Sequence, residues 1–463
     1  MKTSTLFGSA TNTLLACVGL TAVATGQQCY RVGNQCFAFA PPPADIPDDK
    51  RIETGLELRS NRLRLTGDVR LRLRAAETER KHPYNANDQQ ATRARAQLDF
   101  EVNDKVRAFL EFNYSETWAG SASYSDARGG AANNPNFDGV SQAFFEAEDM
   151  LGFGETWRIG RSQFILGNGL ILGSCDFLQR PGVFTGGWLS RNFWGHDLEV
   201  FVLDDYGPLQ STNDGTRYWG ASARIVLSGK DDEAESAEPP TNDSRAQNGL
   251  SGAQPSAVPL PGPGSSTQTS DGHRSHDGFE IDSIRPYYFK GTHDGYVQSK
   301  DTWLGVNTNG YLPWSIEWMA EFAHRLRFGA KDVSAYRLQL AKDLDLFDGV
   351  FSRASLTYTD SQGPLHINPA DFNTAGLLHQ YGGAWRSDLS TTQLGLVFTP
   401  GAGFNVDTKF MLLDRRGASP QQGDFEADVL VNKMLESGVH VAVGYGVDND
   451  VRQVAYLQMT LYF

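Results

Sequence analysis

Beyond its N-terminus the sequence has no long apolar run. No stretch approaches the roughly 18 consecutive apolar residues that a spanning helix needs, which excludes a helical membrane protein. Positive charge is also short: 41 Lys and Arg stand against 55 Asp and Glu, a net −14. That balance disfavours nucleic acid as a partner and makes the water-facing loops acidic. No hydrolase, phosphate-loop, dinucleotide or zinc motif stands out, so neither an enzyme nor a bound cofactor is expected. His440 alternates with Val439 and Val441 and reads as a polar residue facing inward, without a serine in matching register. His273, His276, Asp271 and Asp277 lie in a Gly/Ser-rich stretch with no rigid frame, and Asp448-Asn449-Asp450 reads as a plain turn. No metal is expected at either place. Cysteine is scarce, with four residues in all.

What is present is glycine (48 residues), 11% aromatics and a negative mean hydropathy of −0.40. At the N-terminus, Lys2, the apolar run from Leu14 to Val23 and the small-x-small Ala22-Val23-Ala24 form an export signal, removed after about residue 24. The alternative, a lipid-modified Cys17 after Leu14-Leu15-Ala16, would need its apolar run before the cysteine, and here Val18 to Val23 follows it. Cys29 and Cys36 bracket a six-residue loop that an oxidising compartment would close as a disulfide, leaving Cys175 a bystander. Residues 25–50 then form a short exported segment ending in a stiff, Pro-rich linker.

From about residue 51 the pattern changes. Segments of roughly ten residues alternate apolar and polar, the length and period of a tilted strand with lipid on one side and water on the other. In the first, Leu65, Val69, Leu71 and Leu73 oppose Arg64, Asp68, Arg70, Arg72 and Arg74. Ala94, Ala96, Leu98 and Phe100 oppose Arg93, Arg95, Asp99 and Glu101, and after a turn at Asn103-Asp104 Val106 to Tyr114 repeats the pattern against Arg107 and Glu111. Trp314, Ile316, Trp318, Ala320 and Phe322 are read as one aromatic-rich face opposed to Glu317, Glu321 and Arg325.

A soluble sandwich would also alternate. Several arginines per strand suit a wet lumen better, and apolar faces that finish in aromatics suit an interfacial girdle. The last strand places Ala455, Leu457, Met459, Leu461 and Phe463 on one face. Such an ending resembles the signal by which the barrel assembly machinery recognises its clients, with Phe463 as the terminal aromatic. The expected fold is therefore all-β: a transmembrane antiparallel β-barrel spanning 51–463 in the outer membrane, in contact with its lipid.

Eighteen strands are predicted, with sixteen as the alternative. They run from 63–74 to 453–463, and include 301–308, 314–325 and 332–341. Closure with both chain ends on one side requires an even number. Short turns such as 400–403 and 436–438 fall on the periplasmic side. Longer loops such as 75–90, 116–139, 164–182 and 360–388 fall outside. The stretch 228–278, rich in Ser, Pro, Gly, Asp and Glu, cannot bury a core and reads as a disordered insertion. Strand parity puts it on the periplasmic side.

The inward arginines carry the functional weight: Arg64, Arg70, Arg72, Arg74, Arg93, Arg95, Arg107 and Arg158. A guanidinium stays charged at any relevant pH and offers a planar fork to carboxylates and phosphates. Two readings stand. Either these side chains bias a pore toward anions, or they pair with Asp68, Asp99, Glu101, Glu111, Glu146 and Glu148 as a structural ladder.

Ile159-Gly160-Arg161-Ser162-Gln163, Leu166 to Gly173, Asp176-Phe177 and Arg180 resemble the alginate export family of outer-membrane barrels. The resemblance extends to Tyr218-Trp219-Gly220 and to the strand count. It implies a channel passing an anionic polysaccharide through an arginine-lined lumen, with Arg161 and Arg180 on the solute path and 164–182 narrowing the bore. Asn168 stands where the family pattern has Asp, and Leu170 where it has Arg, which bears on polyuronate specificity. The alternatives are a general porin for small anions or other solutes, and a plugged structural or surface-binding barrel.

Overall fold

A computed structural model of the chain describes residues 63–76, 89–103, 105–120, 137–173, 183–205, 216–227, 278–293, 300–327, 333–347, 350–362, 389–401, 403–415, 425–435, 437–449 and 453–462. The export signal, Cys29 and Cys36, the Pro-rich linker, Cys175, Arg180, Phe463 and all but the last residue of 228–278 lie outside these. So do the side chains of Arg64 and Arg74.

The described residues form eighteen strands. They are β1 (Leu63–Ala76), β2 (Gln89–Asn103), β3 (Val106–Gly120), β4 (Phe137–Glu148), β5 (Glu155–Ser162), β6 (Phe184–Phe193), β7 (His196–Asp205), β8 (Thr216–Val226) and β9 (Glu280–His293), followed by β10 (Lys300–Leu312), β11 (Ile316–Arg327), β12 (Val333–Leu346), β13 (Phe351–Ser361), β14 (Leu389–Gly401), β15 (Phe404–Arg415), β16 (Phe425–Met434), β17 (Val439–Asp448) and β18 (Gln453–Tyr462). Each pairs antiparallel with its sequence neighbours, and β1 pairs with both β2 and β18. The sheet is closed, and closure leaves no edge whose backbone groups would need water.

Alternation fixes which side chains face out. Phe112, Phe145, Val202, Phe322, Leu412 and Met459 are exposed on the outer surface, while the residues between them on the same strands point inward. An apolar belt around a closed barrel is the surface that a bilayer covers. The shortest connections, β2–β3, β6–β7 and β14–β15, lie at one end, and so do the described chain ends, Leu63 and Tyr462. With β8 running toward that end, the insertion between Val226 and Glu280 also leaves and re-enters there.

Two local readings need correction. Asn103 is still in β2, paired with Val106, so the reversal falls one residue later than the sequence suggested. Trp314 does not extend the face of Ile316 and Trp318. It sits in a 3-10 turn, Pro313–Ser315, at φ 65° and 75% exposed. Pro313 ends β10 by removing a ladder donor. Trp194 (φ 50°) and Phe347 (φ 55°) occupy similar left-handed positions at other short turns.

The β2–β3 and β4–β5 turns are joined at this end by Lys105 Nζ to Asp149, 2.6 Å. That hydrogen bond, followed by the Gly154 N–H, holds the Asp149 carboxyl below the usual carboxylate value, and it raises Lys105.

Candidate functional site: the inner wall and the inward segment

The inner wall is polar around the barrel, with one large apolar patch on β6 to β12. On β1 to β5 it is a ladder of charges. Asp68, only 1% exposed, receives Arg95 Nε at 2.6 Å and Arg93 Nη2 at 3.3 Å. These contacts follow from register, since Asp68 stands directly opposite Arg95. Glu111 accepts from Gln97 at 2.7 Å and from Ser141 at 2.5 Å. Arg107 lies 3.4 Å from Glu146 and 3.8 Å from Asp99, and Arg158 is hydrogen-bonded to Glu146. Arg72 donates to the Gln458 carbonyl oxygen at 3.0 Å, and Tyr456 donates to the same oxygen at 2.7 Å.

Arg70, Arg72, Arg93, Arg95, Arg107 and Arg158 thus lie on the inner wall. Most of the acids named as ladder partners lie among them, whereas Glu101 and Glu148 are exposed. By register both still belong to the inner face, so on these strands six described inward arginines stand with six acids of the same parity (Asp68, Asp99, Glu101, Glu111, Glu146 and Glu148). On the other flank of β1, beyond β18, β16 and β17 carry Glu426, Asp428 and Asp448. His440 faces inward from β17, as its alternation predicts.

Arg161 is a correction. The β4–β5 register runs unbroken from Glu146↔Arg158 to Ala143↔Arg161. Parity therefore puts Arg161 on the outer face with Ile159, which is 56% exposed, and its guanidinium donates to the Val140 carbonyl at 3.0 Å. The motif suggested the lumen, and the two-residue period of the strand decides otherwise.

From β6 to β12 the inner wall adds a large aromatic and aliphatic patch beside buried polar and charged residues such as Ser222, Asn307, Arg325 and Arg337. Phe184, Trp188, Phe201, Leu203, Tyr218, Tyr287, Phe289, Trp303, Ala323, Val333 and Ala335 form one buried cluster with Phe164, Leu166, Leu170, Ile171 and Leu172. The last five belong to the segment after β5, which folds inward and lays its apolar side chains on this wall. Phe164 packs against Phe201 and Trp188, with ring centroids 4.8 and 5.6 Å away. Arg158 marks the edge of the patch, its guanidinium 4.7 Å from both the Phe144 and Trp188 rings.

The sequence did not reveal these inward aromatics, because alternation had assigned aromatics to lipid. Its one signal was the loss of alternation in Val200-Phe201-Val202-Leu203, as expected of a strand covered on both faces.

The inward segment closes on itself through Leu166 N–H to the Leu172 carbonyl (2.9 Å) and Gly169 N–H to the Leu166 carbonyl (3.0 Å). Its tip meets Glu321 of β11. The carboxylate accepts the Asn168 N–H at 3.1 Å, the Tyr287 hydroxyl at 3.1 Å and the Leu170 N–H. Arg337, directly across on β12, faces it with the opposite charge. Gly167 sits at φ +60°, where a Cβ would stand 2.7 Å from the carboxylate. Only glycine allows both that conformation and that approach. Gly305 plays the same part beneath Tyr287, whose ring occupies the space of a Cβ.

Inner-wall arginines that had not been singled out as site residues also appear on this side. Arg353 bonds to Glu317 and Asp343, each at 2.5 Å. Among the described residues no group of three or more His, Cys, Asp or Glu side chains could hold a metal ion.

No family model matches the sequence, and no curated protein matches it. Solved structures do. Pseudomonas aeruginosa OccK9 (OpdG) superposes with a TM-score of 0.56 at 10% identity, over 87% of this chain and 97% of that one. Pseudomonas aeruginosa OpdK with vanillate gives 0.52 at 9%, over 86% and 98%. Acinetobacter baumannii OccAB4 gives 0.51 at 9%, over 90% and 99%. The fold is that of closed outer-membrane β-barrels. These neighbours are Occ/Opd channels rather than alginate exporters, so the narrower resemblance draws no support from them. The departures at Asn168 and Leu170 also find a physical reason. Leu170 is buried among aromatics, where an arginine would be an unpaired charge, and Asn168 serves through its backbone.

Proposed function

We propose that the protein is a passive outer-membrane channel for small solutes, with a preference for anions. The observation that carries this is the closed barrel with a charge ladder on one part of the inner wall and an inward-folded segment on another. A segment lodged inside the bore suits a small solute better than a polyuronate chain, so we rank solute passage above polysaccharide export. The mechanism is size exclusion plus the field of the wall, with no bond made or broken. The vanillate held by the similar OpdK is a small aromatic carboxylate, and this class is the first to test here.

Liposomes carrying the refolded protein should swell in small aromatic carboxylates and not in oligouronate; swelling in oligouronate alone would instead favour export. Arg72→Ala combined with Arg95→Ala should still yield folded barrel, at reduced stability because Asp68 keeps only Arg93, and shift the low-salt reversal potential toward cations. The shift should fade at 1 M salt, where the screening length is about 3 Å. An unchanged potential at low salt would make the arginines purely structural.

A further inference from the structure

We infer that Glu321 is the residue that fixes the bore, a latch holding the inward segment through its backbone. The inference rests on the channel reading and names what sets the constriction. Three features single out this carboxylate. It is almost fully buried, it takes N–H groups from two successive positions of the tip, Asn168 and Leu170, and it takes the Tyr287 hydroxyl as well. The tip approaches it only because residue 167 is glycine.

The contacts on the segment's side are main-chain groups, so the latch is indifferent to most side chains there and depends on the receiving carboxylate. Asn168 offers a direct probe. Its side chain is 4% exposed, its Nδ2 has no partner, and substituting it leaves its N–H in place. Hydrogen bonds to a charged group are the stronger kind, and losing two from a short segment raises the population in which its tip leaves the wall.

The experiment uses the full-length protein in detergent with Asn168→Cys in a Cys175→Ser background. Labelling at position 168 by a membrane-impermeant thiol reagent is followed by mass spectrometry. Adding Glu321→Ala should speed labelling by about tenfold or more, the weight of one charged hydrogen bond. Glu321→Gln, which keeps an acceptor oxygen, should fall between, and Tyr287→Phe should give a smaller increase. Heat-modifiable migration reports folding in each case.

Equal labelling rates in the parent and a folded Glu321→Ala variant would overturn the latch. If that variant does not fold, unchanged rates in both Glu321→Gln and Tyr287→Phe overturn it equally. Conductance is read separately: larger or noisier steps in Glu321→Ala support the latch as the setter of the bore. Silence in every variant, parent included, defeats the channel reading, while the labelling still decides whether Glu321 holds the segment.

Discussion

Asp68→Ala is expected to destabilise the barrel by about 3–5 kcal/mol, the cost of leaving buried charges without their partner. Asp68 is buried in β1 and serves Arg95 and Arg93 together. Its removal therefore affects two guanidiniums that stay charged at any relevant pH. The sign follows from burial: an exposed pair in water is worth about 0–1 kcal/mol, whereas here water does not replace the lost carboxylate. The temperature at which the folded band disappears in unheated gels should fall clearly. Combining Asp68→Ala with Arg95→Ala should recover part of the loss, because one of the stranded charges goes with it. A variant as stable as the parent would show that the ladder does not hold β1 to β2.

Phe112→Arg is the counterpart on the outer surface. Phe112 lies mid-strand in β3, 47% exposed and opposite Ala96, at a level where lipid must surround it. A cation on the lipid face near the midplane costs roughly 2–4 kcal/mol, so folding into vesicles should slow and the yield of heat-modifiable protein should drop. Phe112→Leu should be tolerated. If the arginine variant folds as readily as the parent, the outer face is not in hydrocarbon, and the alternation has been assigned to the wrong environment.

Much of this was legible in the sequence because one physical rule generates it. A strand with lipid on one side and a polar interior on the other must alternate, so each of the eighteen predicted strands corresponds to one of β1 to β18. Strand ends were less legible. β10 continues to Leu312 and β12 to Leu346, beyond the predicted 308 and 341. The backbone ladder outlasts the apolar belt, and residues such as Asn307, Thr308 and Asn309 carry little alternation.

The ladder residues were visible as inward positions, but their partners were not. That both Arg93 and Arg95 serve Asp68 depends on the β1–β2 register. Glu321 was recognised as facing the interior, yet nothing in the sequence separated it from Glu317. Its role comes from a segment 153 positions away, and main-chain donors leave no side-chain signature. Arg161 was misplaced for the opposite reason, because a short motif was allowed to outweigh strand parity.

This barrel is expected to conduct ions. The refolded, heat-modifiable protein, inserted into a planar lipid bilayer at low salt, should give discrete single-channel steps with a reversal potential on the anion side. A correctly folded barrel that inserts and yields no steps would contradict the account and leave a plugged structural barrel in its place.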